Sequence, residues 1–212
     1  MSGDAAGAGG GDGLDPGELA ETAAWLASMQ LPNGMLPWYR GGHGDPWNHL
    51  EATMALAAGG RWAEVERALA WLAAHQLADG SWCRFYVPDG VLDPRRDPNV
   101  CAYVATAVWW CSELGGPAGL LEALWPVIDA AISWTLRQQL SSGEIVWSVG
   151  PDGAPGGFAL LAANSSLHQS LGCALRAAGA LGRDRPHWAA AAAELGAAVE
   201  AAVAGRPTAF AP

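Results

Sequence analysis

A segment of the form W-x4-Q-L-x-x-G occurs three times in this chain, and each copy is followed by another Trp. Trp25 precedes Gln30-Leu31-Pro32-Asn33-Gly34 and then Trp38. Trp71 precedes Gln76-Leu77-Ala78-Asp79-Gly80-Ser81-Trp82. Trp134 precedes Gln139-Leu140-Ser141-Ser142-Gly143 and then Trp147. A repeat of this kind constrains the fold strongly, because repeated supersecondary units bury by stacking the faces that none can bury alone. A second register supports it. Trp62, Trp125 and Trp188 are spaced 63 apart, as are Trp71 and Trp134, and on that spacing Ala197 and Ala202 stand where the next Trp and Gln are due.

Seven helices are expected. Asp15 caps the first, with Pro16 at its first position, and it runs to about residue 30. The others are expected over 46–58, 61–76, 99–114, 117–140 with a bend at Pro126, 164–181 and 186–204. Helices one, three and five end in the Gln-Leu motif and lead into long loops. Helices two, four and six end in short turns, which make antiparallel neighbours. All the long loops therefore gather at one end. The even helices are the more apolar, which puts them inside and the odd ones outside. The fold class is all-α, with helical hairpins forming part of an α/α toroid over 15–205. Residues 1–14, almost without bulky side chains, are expected to be disordered, and 206–212 to form a tail.

Composition narrows the function. The formal charge is −10, all eleven basic residues are Arg, and no basic run is present. That balance speaks against nucleic acid and anionic membrane surfaces as partners. No apolar run reaches the length of a membrane span, and the start lacks a secretory pattern, so the cytoplasm is the expected compartment. The four Cys (Cys83, Cys101, Cys111, Cys173) show no metal-binding spacing, and the last three read as buried thiols. No cofactor is expected. Asp97, Cys101 and His168 form a metal set only if forced together.

Gln-x-x-Asp-Gly-Ser-Trp resembles the Q-W motif of terpenoid cyclases and of their toroid relatives, the protein prenyltransferases. In those families Gln caps helix ends and stacks on Trp. The hairpin layout also resembles six-hairpin glycosidases of the glucoamylase type. Gly42-His43-Gly44-Asp45-Pro46-Trp47-Asn48-His49-Leu50-Glu51-Ala52, Asn99-Val100-Cys101-Ala102-Tyr103 and Ser165-Ser166-Leu167-His168-Gln169-Ser170-Leu171 look like actinobacterial proteins labelled prenyltransferase-like. The resemblance implies a central cavity for an isoprenoid or similar apolar substrate. The chain departs from it in having no Asp-x-Asp-Asp acid and no clear zinc set. A full toroid needs about twelve helices, so either further helices or a second copy in a homodimer would complete the ring.

The starts of the even helices then share one end of the molecule. Asn48, Asn99 and Asn164 are expected to cap them. Asp45, His49, Glu51 and His168 are the candidate catalytic groups. Asp45 and His49 fit one helix face, and Glu51 turns away from His49. A dipole-stabilised carboxylate and a hydrogen-bonded core histidine are the plainer readings of Asp45 and His168. Trp38, Trp47, Trp82, Tyr103, Trp147 and Asn164 are the candidate substrate contacts, whereas Trp25, Trp71 and Trp134 read as hairpin staples. Three functions follow: a prenyltransferase or terpene-cyclase-like protein, first; a carbohydrate-active or sugar-binding six-hairpin domain, second; a non-catalytic scaffold, third. The second needs facing carboxyl groups, for which Asp45 or Glu51 with Glu144 or Asp152 are the candidates.

Overall fold

A computed structural model describes residues 15–206, 208 and 210. Seven helices carry the fold: α1 (Pro16–Met29), α2 (Pro46–Ala58), α3 (Trp62–Ala74), α4 (Pro98–Glu113), α5 (Leu120–Leu136), α6 (Leu161–Ala180) and α7 (Pro186–Val203). All seven match expected helices. The expected disorder of 1–14 lies outside the described residues. Within the tail, Phe210 pairs with Ala159. Pro126 sits inside α5.

The all-α toroid layout holds. α2 packs on α4 and α4 on α6, while α1 and α3 lie on α2, α5 on α4, and α7 on α6. The even helices therefore form an inner row and the odd helices an outer one. α4 is central: Cys101, Ala102, Val104, Ala105, Thr106, Ala107, Val108 and Cys111 are all buried. Its small side chains let α2 and α6 approach on both flanks.

The repeat motif builds one joint three times. Gln30 Nε2 donates to Gly34 O (3.1 Å) and to Glu64 O on α3 (2.8 Å). Gln76 Nε2 donates to Gly80 O (3.0 Å) and to Val127 O on α5 (2.9 Å). Gln139 Nε2 donates to Gly143 O (2.9 Å) and to Ala191 O on α7 (3.0 Å). Gly34, Gly80 and Gly143 have φ of +97°, +98° and +100°. A Cβ there would lie 2.3 Å from Arg67 O, 2.3 Å from Ala130 O and 2.7 Å from Glu194 O respectively. Each turn thus presses its glycine against the next outer helix, and only glycine has both the conformation and the clearance. The family resemblance implied Gln stacked on Trp; the joint instead runs through main-chain carbonyls.

The joints also fix the register of α7. The acceptors Glu64, Val127 and Ala191 place Ala198, not Ala197, where Trp71 and Trp134 stand. Trp71 and Trp134 are each 4% exposed, as staples should be, but Trp25 is 58% exposed.

The second long loop, where the sequence indicates no regular element, holds an antiparallel hairpin, β1 (Phe85–Val87) and β2 (Gly90–Asp93). It stitches the loops together. Gly44 and Tyr86 exchange backbone hydrogen bonds of 2.9 and 2.8 Å, and Arg96 and Val149 exchange two of 2.9 Å. The first loop is thereby held beside β1, and the third loop beside the start of α4. No described helix is long and apolar enough to cross a membrane.

Candidate active site

Two inner helices begin with Asp-Pro, and each Asp is the N-cap. Asp45 Oδ1 accepts from Asn48 N (3.0 Å); Asp97 Oδ1 accepts from Asn99 N (3.0 Å) and Val100 N (3.3 Å). Proline at the first helical position has no N–H to lose, and the Asp side chain satisfies donors that the helix leaves unpaired. The expected caps Asn48, Asn99 and Asn164 are therefore displaced by Asp45 and Asp97 on α2 and α4. α6 has Leu160 at its cap position, with no side-chain cap.

The two aspartates line one cleft of about 210 Å³, together with Trp38, Trp47, Asn48, Arg84, Phe85 and Val100. Both are buried, at 5% and 8% exposure. Asp45 Oδ2 accepts from the Trp38 indole (2.5 Å) and the Asn48 amide (2.8 Å). With the Asn48 backbone bond, both its oxygens act as acceptors, the role of an ionised carboxylate. Asp97 differs. Burial pushes its carboxyl up to about 6, against the opposing pull of the Asn99 and Val100 N–H groups, Arg84 and the Trp147 side chain.

Aromatic rings frame the cleft. Trp38, half exposed, lies 4.7 Å from His43 and edge-on to Phe85 at 5.9 Å. Trp47 stacks on Tyr103 at 4.0 Å and 10°. Tyr103 donates its hydroxyl to Glu51. Burial, followed by Glu51, drives the Tyr103 phenol above its ordinary range. Arg84 lies over both Phe85 (5.4 Å) and Trp147 (5.2 Å).

Several sequence candidates stand elsewhere. His49 is buried: Leu36 N donates to its Nδ1 (3.1 Å), and its Nε2 donates to Ala68 O (2.9 Å). Both nitrogens are engaged, and burial lowers its pKa to about 4, so it is a neutral structural imidazole. His168 is exposed rather than in the core, in a separate depression with Ser165, Gly196, Val199 and Glu200. Trp82 is buried, with its indole on Leu72 O (2.8 Å). Asn164 is buried and bonds Ile145 N, Ile145 O and Leu160 O. Of the proposed carboxylate partners, Glu144 is buried at the third Gln-Leu turn, where its main-chain carbonyl accepts from Leu140 N, and Asp152 is exposed in a loop. Asp97 takes the place expected of them. The signal for it was the dipeptide Asp97-Pro98, which repeats Asp45-Pro46. Among the described residues no three His, Cys, Asp or Glu cluster as metal ligands do.

No family model matches the chain. It is similar to the MMP endo-(1,4)-3-O-methyl-α-D-mannosidase of Mycolicibacterium hassiacum, 39% identical over 198 residues that make up 93% of this chain and 54% of that protein. The chain thus spans about half the length of the curated relative it matches. Among solved structures it is similar to a D-mannose isomerase (TM-score 0.62, 12% identity, 85% of this chain and 49% of that one). It is also similar to a family 105 glycoside hydrolase of C. acetobutylicum (TM-score 0.61, 13% identity, 78% and 51%). These likenesses overturn the first expectation, a prenyltransferase or terpene-cyclase-like protein, since the relative at 39% identity is a mannosidase. The solved structures share the α/α-toroid fold, and the chain covers about half the length of each.

Proposed function

We propose that this chain carries the acid–base cleft of a glycoside hydrolase acting on α-mannoside chains. The observation that carries the reading is the pair Asp45 and Asp97: two buried carboxyl groups at the caps of adjacent inner helices, lining one aromatic cleft. Hydrolysis of a glycosidic bond needs one protonated and one ionised carboxyl group. Asp97, raised to about 6, holds the proton for the leaving-group oxygen. Asp45, an acceptor on both oxygens, supplies negative charge to the oxocarbenium-like transition state. Trp38 and Trp47 offer faces for sugar rings. The mannosidase relative supports an endo-acting enzyme on O-methylated (1,4)-α-mannosides as the finer reading.

The test is hydrolysis of α-(1,4)-linked manno-oligosaccharides, with and without O-methyl groups, followed by product sizing. Asp97→Asn and Asp45→Asn are each expected to cut the rate by about 10²–10⁴-fold while leaving oligosaccharide binding within a few-fold. The alkaline limb of kcat/KM is expected near pH 6 in the parent and absent in Asp97→Asn. Parent rates in both variants would sink the reading.

A further inference from the structure

Among the described residues that line the cleft of Asp45 and Asp97, Arg84 is the cation. Its main chain is fixed, since Arg84 N donates to Asp93 O (3.1 Å) and to Arg95 O (2.7 Å). Its guanidinium is fixed as well, over the rings of Phe85 and Trp147. Rings hold such a charge through their faces and use none of its N–H donors. The nearby arginines are committed elsewhere. Arg95 pairs with Asp93 at 2.6 Å, and Arg96 Nη1 donates to Gly150 O at 2.7 Å. The indole of Trp38 and the amide of Asn48 are turned onto Asp45. Arg84, half-buried, makes no side-chain hydrogen bond or ion pair among the described residues. It is a donor fork held in place and left unspent, in the wall of a cleft that carries both carboxyl groups.

We infer that Arg84 reads the O2 and O3 oxygens of the leaving sugar, and that it accepts a methyl ether at O3 as readily as a free hydroxyl. The inference rests on the finer form of the reading above, a hydrolase of O-methylated (1,4)-α-mannosides. In a (1,4)-linked chain the oxygen that Asp97 protonates is O4 of the leaving sugar, and O3 is on the adjacent carbon. Arg84 stands beside Asp97, near enough for its charge to act on that carboxyl. In mannose O2 and O3 are cis neighbours, a pair that one planar guanidinium can span with two N–H groups. The donor's chemistry sets the tolerance. A guanidinium only donates, so it needs an acceptor and is indifferent to whether that oxygen carries hydrogen or methyl. A carboxylate in the same place would demand a hydroxyl and reject the ether. The methyl group has apolar neighbours in Phe85 and Val100, both in the cleft wall.

Three ligands test the inference. Each is an α-(1,4)-mannobiose with sulfur as the bridging atom, so that it is not cleaved. At position 3 of the leaving sugar they carry a hydroxyl, a methoxy group or hydrogen. Dissociation constants are read by proton–nitrogen NMR titration. The parent is expected to bind the hydroxyl and methoxy forms within about threefold of each other, and the deoxy form at least about tenfold more weakly, as befits a lost hydrogen bond from a charged donor. Arg84→Met, which keeps the stem and removes the donors, is expected to bind all three within about threefold. Unchanged amide signals away from the cleft show that its fold persists. Equal binding of the deoxy and hydroxyl forms by the parent would overturn the inference without any variant. So would a methoxy form as weak as the deoxy form, or an Arg84→Met protein that still discriminates. A parent that binds none of the three would sink the mannoside hydrolase reading itself, and the inference with it.

Discussion

At the scale of single residues, burial decides which groups can do chemistry. His49 and Asp97 are both buried titratable groups, shifted by the same cause in opposite directions. The folded His49 titrates near 4 and its unfolded form near 6.5. Between those values the unfolded chain takes up a proton that the folded chain refuses, so stability falls as pH drops through this window. At just over a kcal/mol per unit, the loss comes to about 3 kcal/mol. Asp97, raised to about 6, gains about 2 kcal/mol of stability over the same drop to pH 4.5, so the parent shows only a small net loss. The His49 contribution is expected as the difference in pH slope between the parent and His49→Gln, from urea unfolding at pH 7 and pH 4.5. An unchanged slope would mean that His49 is protonated in the fold. The sequence made His49 look catalytic because it sits beside Asp45. It could not show that Leu36 N and Ala68 O, one from a loop and one from α3, occupy both ring nitrogens. Asp97 is the helix cap where the sequence pointed to Asn99, although Asp97-Pro98 marks a helix start. Its role in the cleft was not legible, because the cleft forms only when the Gly44–Tyr86 pairing brings the first loop and the start of α2 beside Arg84 and Phe85.

At the scale of elements, the repeated joint explains why helix positions could be read so closely from sequence. Its donor side is written in side chains, Gln and Gly, that recur at one spacing. Two substitutions separate conformation from contact. Gly60 has φ +71° and open space around it, so Gly60→Ala is expected to cost about 1 kcal/mol from left-handed strain alone. Gly80 carries similar strain and also faces Ala130 O, so Gly80→Ala is expected to cost about 2 kcal/mol beyond that. Thermal or urea unfolding of both variants gives the comparison, and equal losses would refute the close-contact account. The tryptophans provide another contrast. Trp134→Ala removes a buried ring and is expected to cost about 3–5 kcal/mol. Trp25→Ala, on the exposed helix, is expected to cost below about 1 kcal/mol. The hairpin β1–β2 escaped the sequence reading even though Phe85-Tyr86-Val87, then Pro88-Asp89-Gly90, then Val91-Leu92 is a strand–turn–strand signal. The long, Asp-, Pro- and Arg-rich loop around it outweighed that short run.

At the scale of the whole molecule, a charge of −10 surrounds a cleft that itself holds two aspartates. Neutral manno-oligosaccharides are expected to bind with a Kd that does not move between about 50 and 500 mM NaCl, since no long-range charge term is involved. Uronate-bearing oligosaccharides are expected to bind more weakly and to gain affinity with salt as the repulsion is screened. Calorimetric titration over that range distinguishes the two, and tight, salt-weakened uronate binding would point to Arg84 as the dominant contact. The half-toroid layout was legible because long and short connections alternate along the chain, which pairs the helices as hairpins and gathers the long loops at one end. The expectation that the even helices are the more apolar does not hold, since α5 and α7 are the most apolar of the seven. The substrate class was not, because a Q-W-like turn serves the architecture and carries no information about the cleft. The three joints also bear on how such a molecule changes over generations. Their acceptors are peptide carbonyls on Glu64, Val127 and Ala191, three side chains with nothing in common. The three carbonyl-bearing positions on the outer helices can therefore change their side chains and still receive the turn. A hairpin can be duplicated, lost or exchanged as a module without a matching mutation in its neighbour, and the lineage is left free to rewrite its loops one at a time.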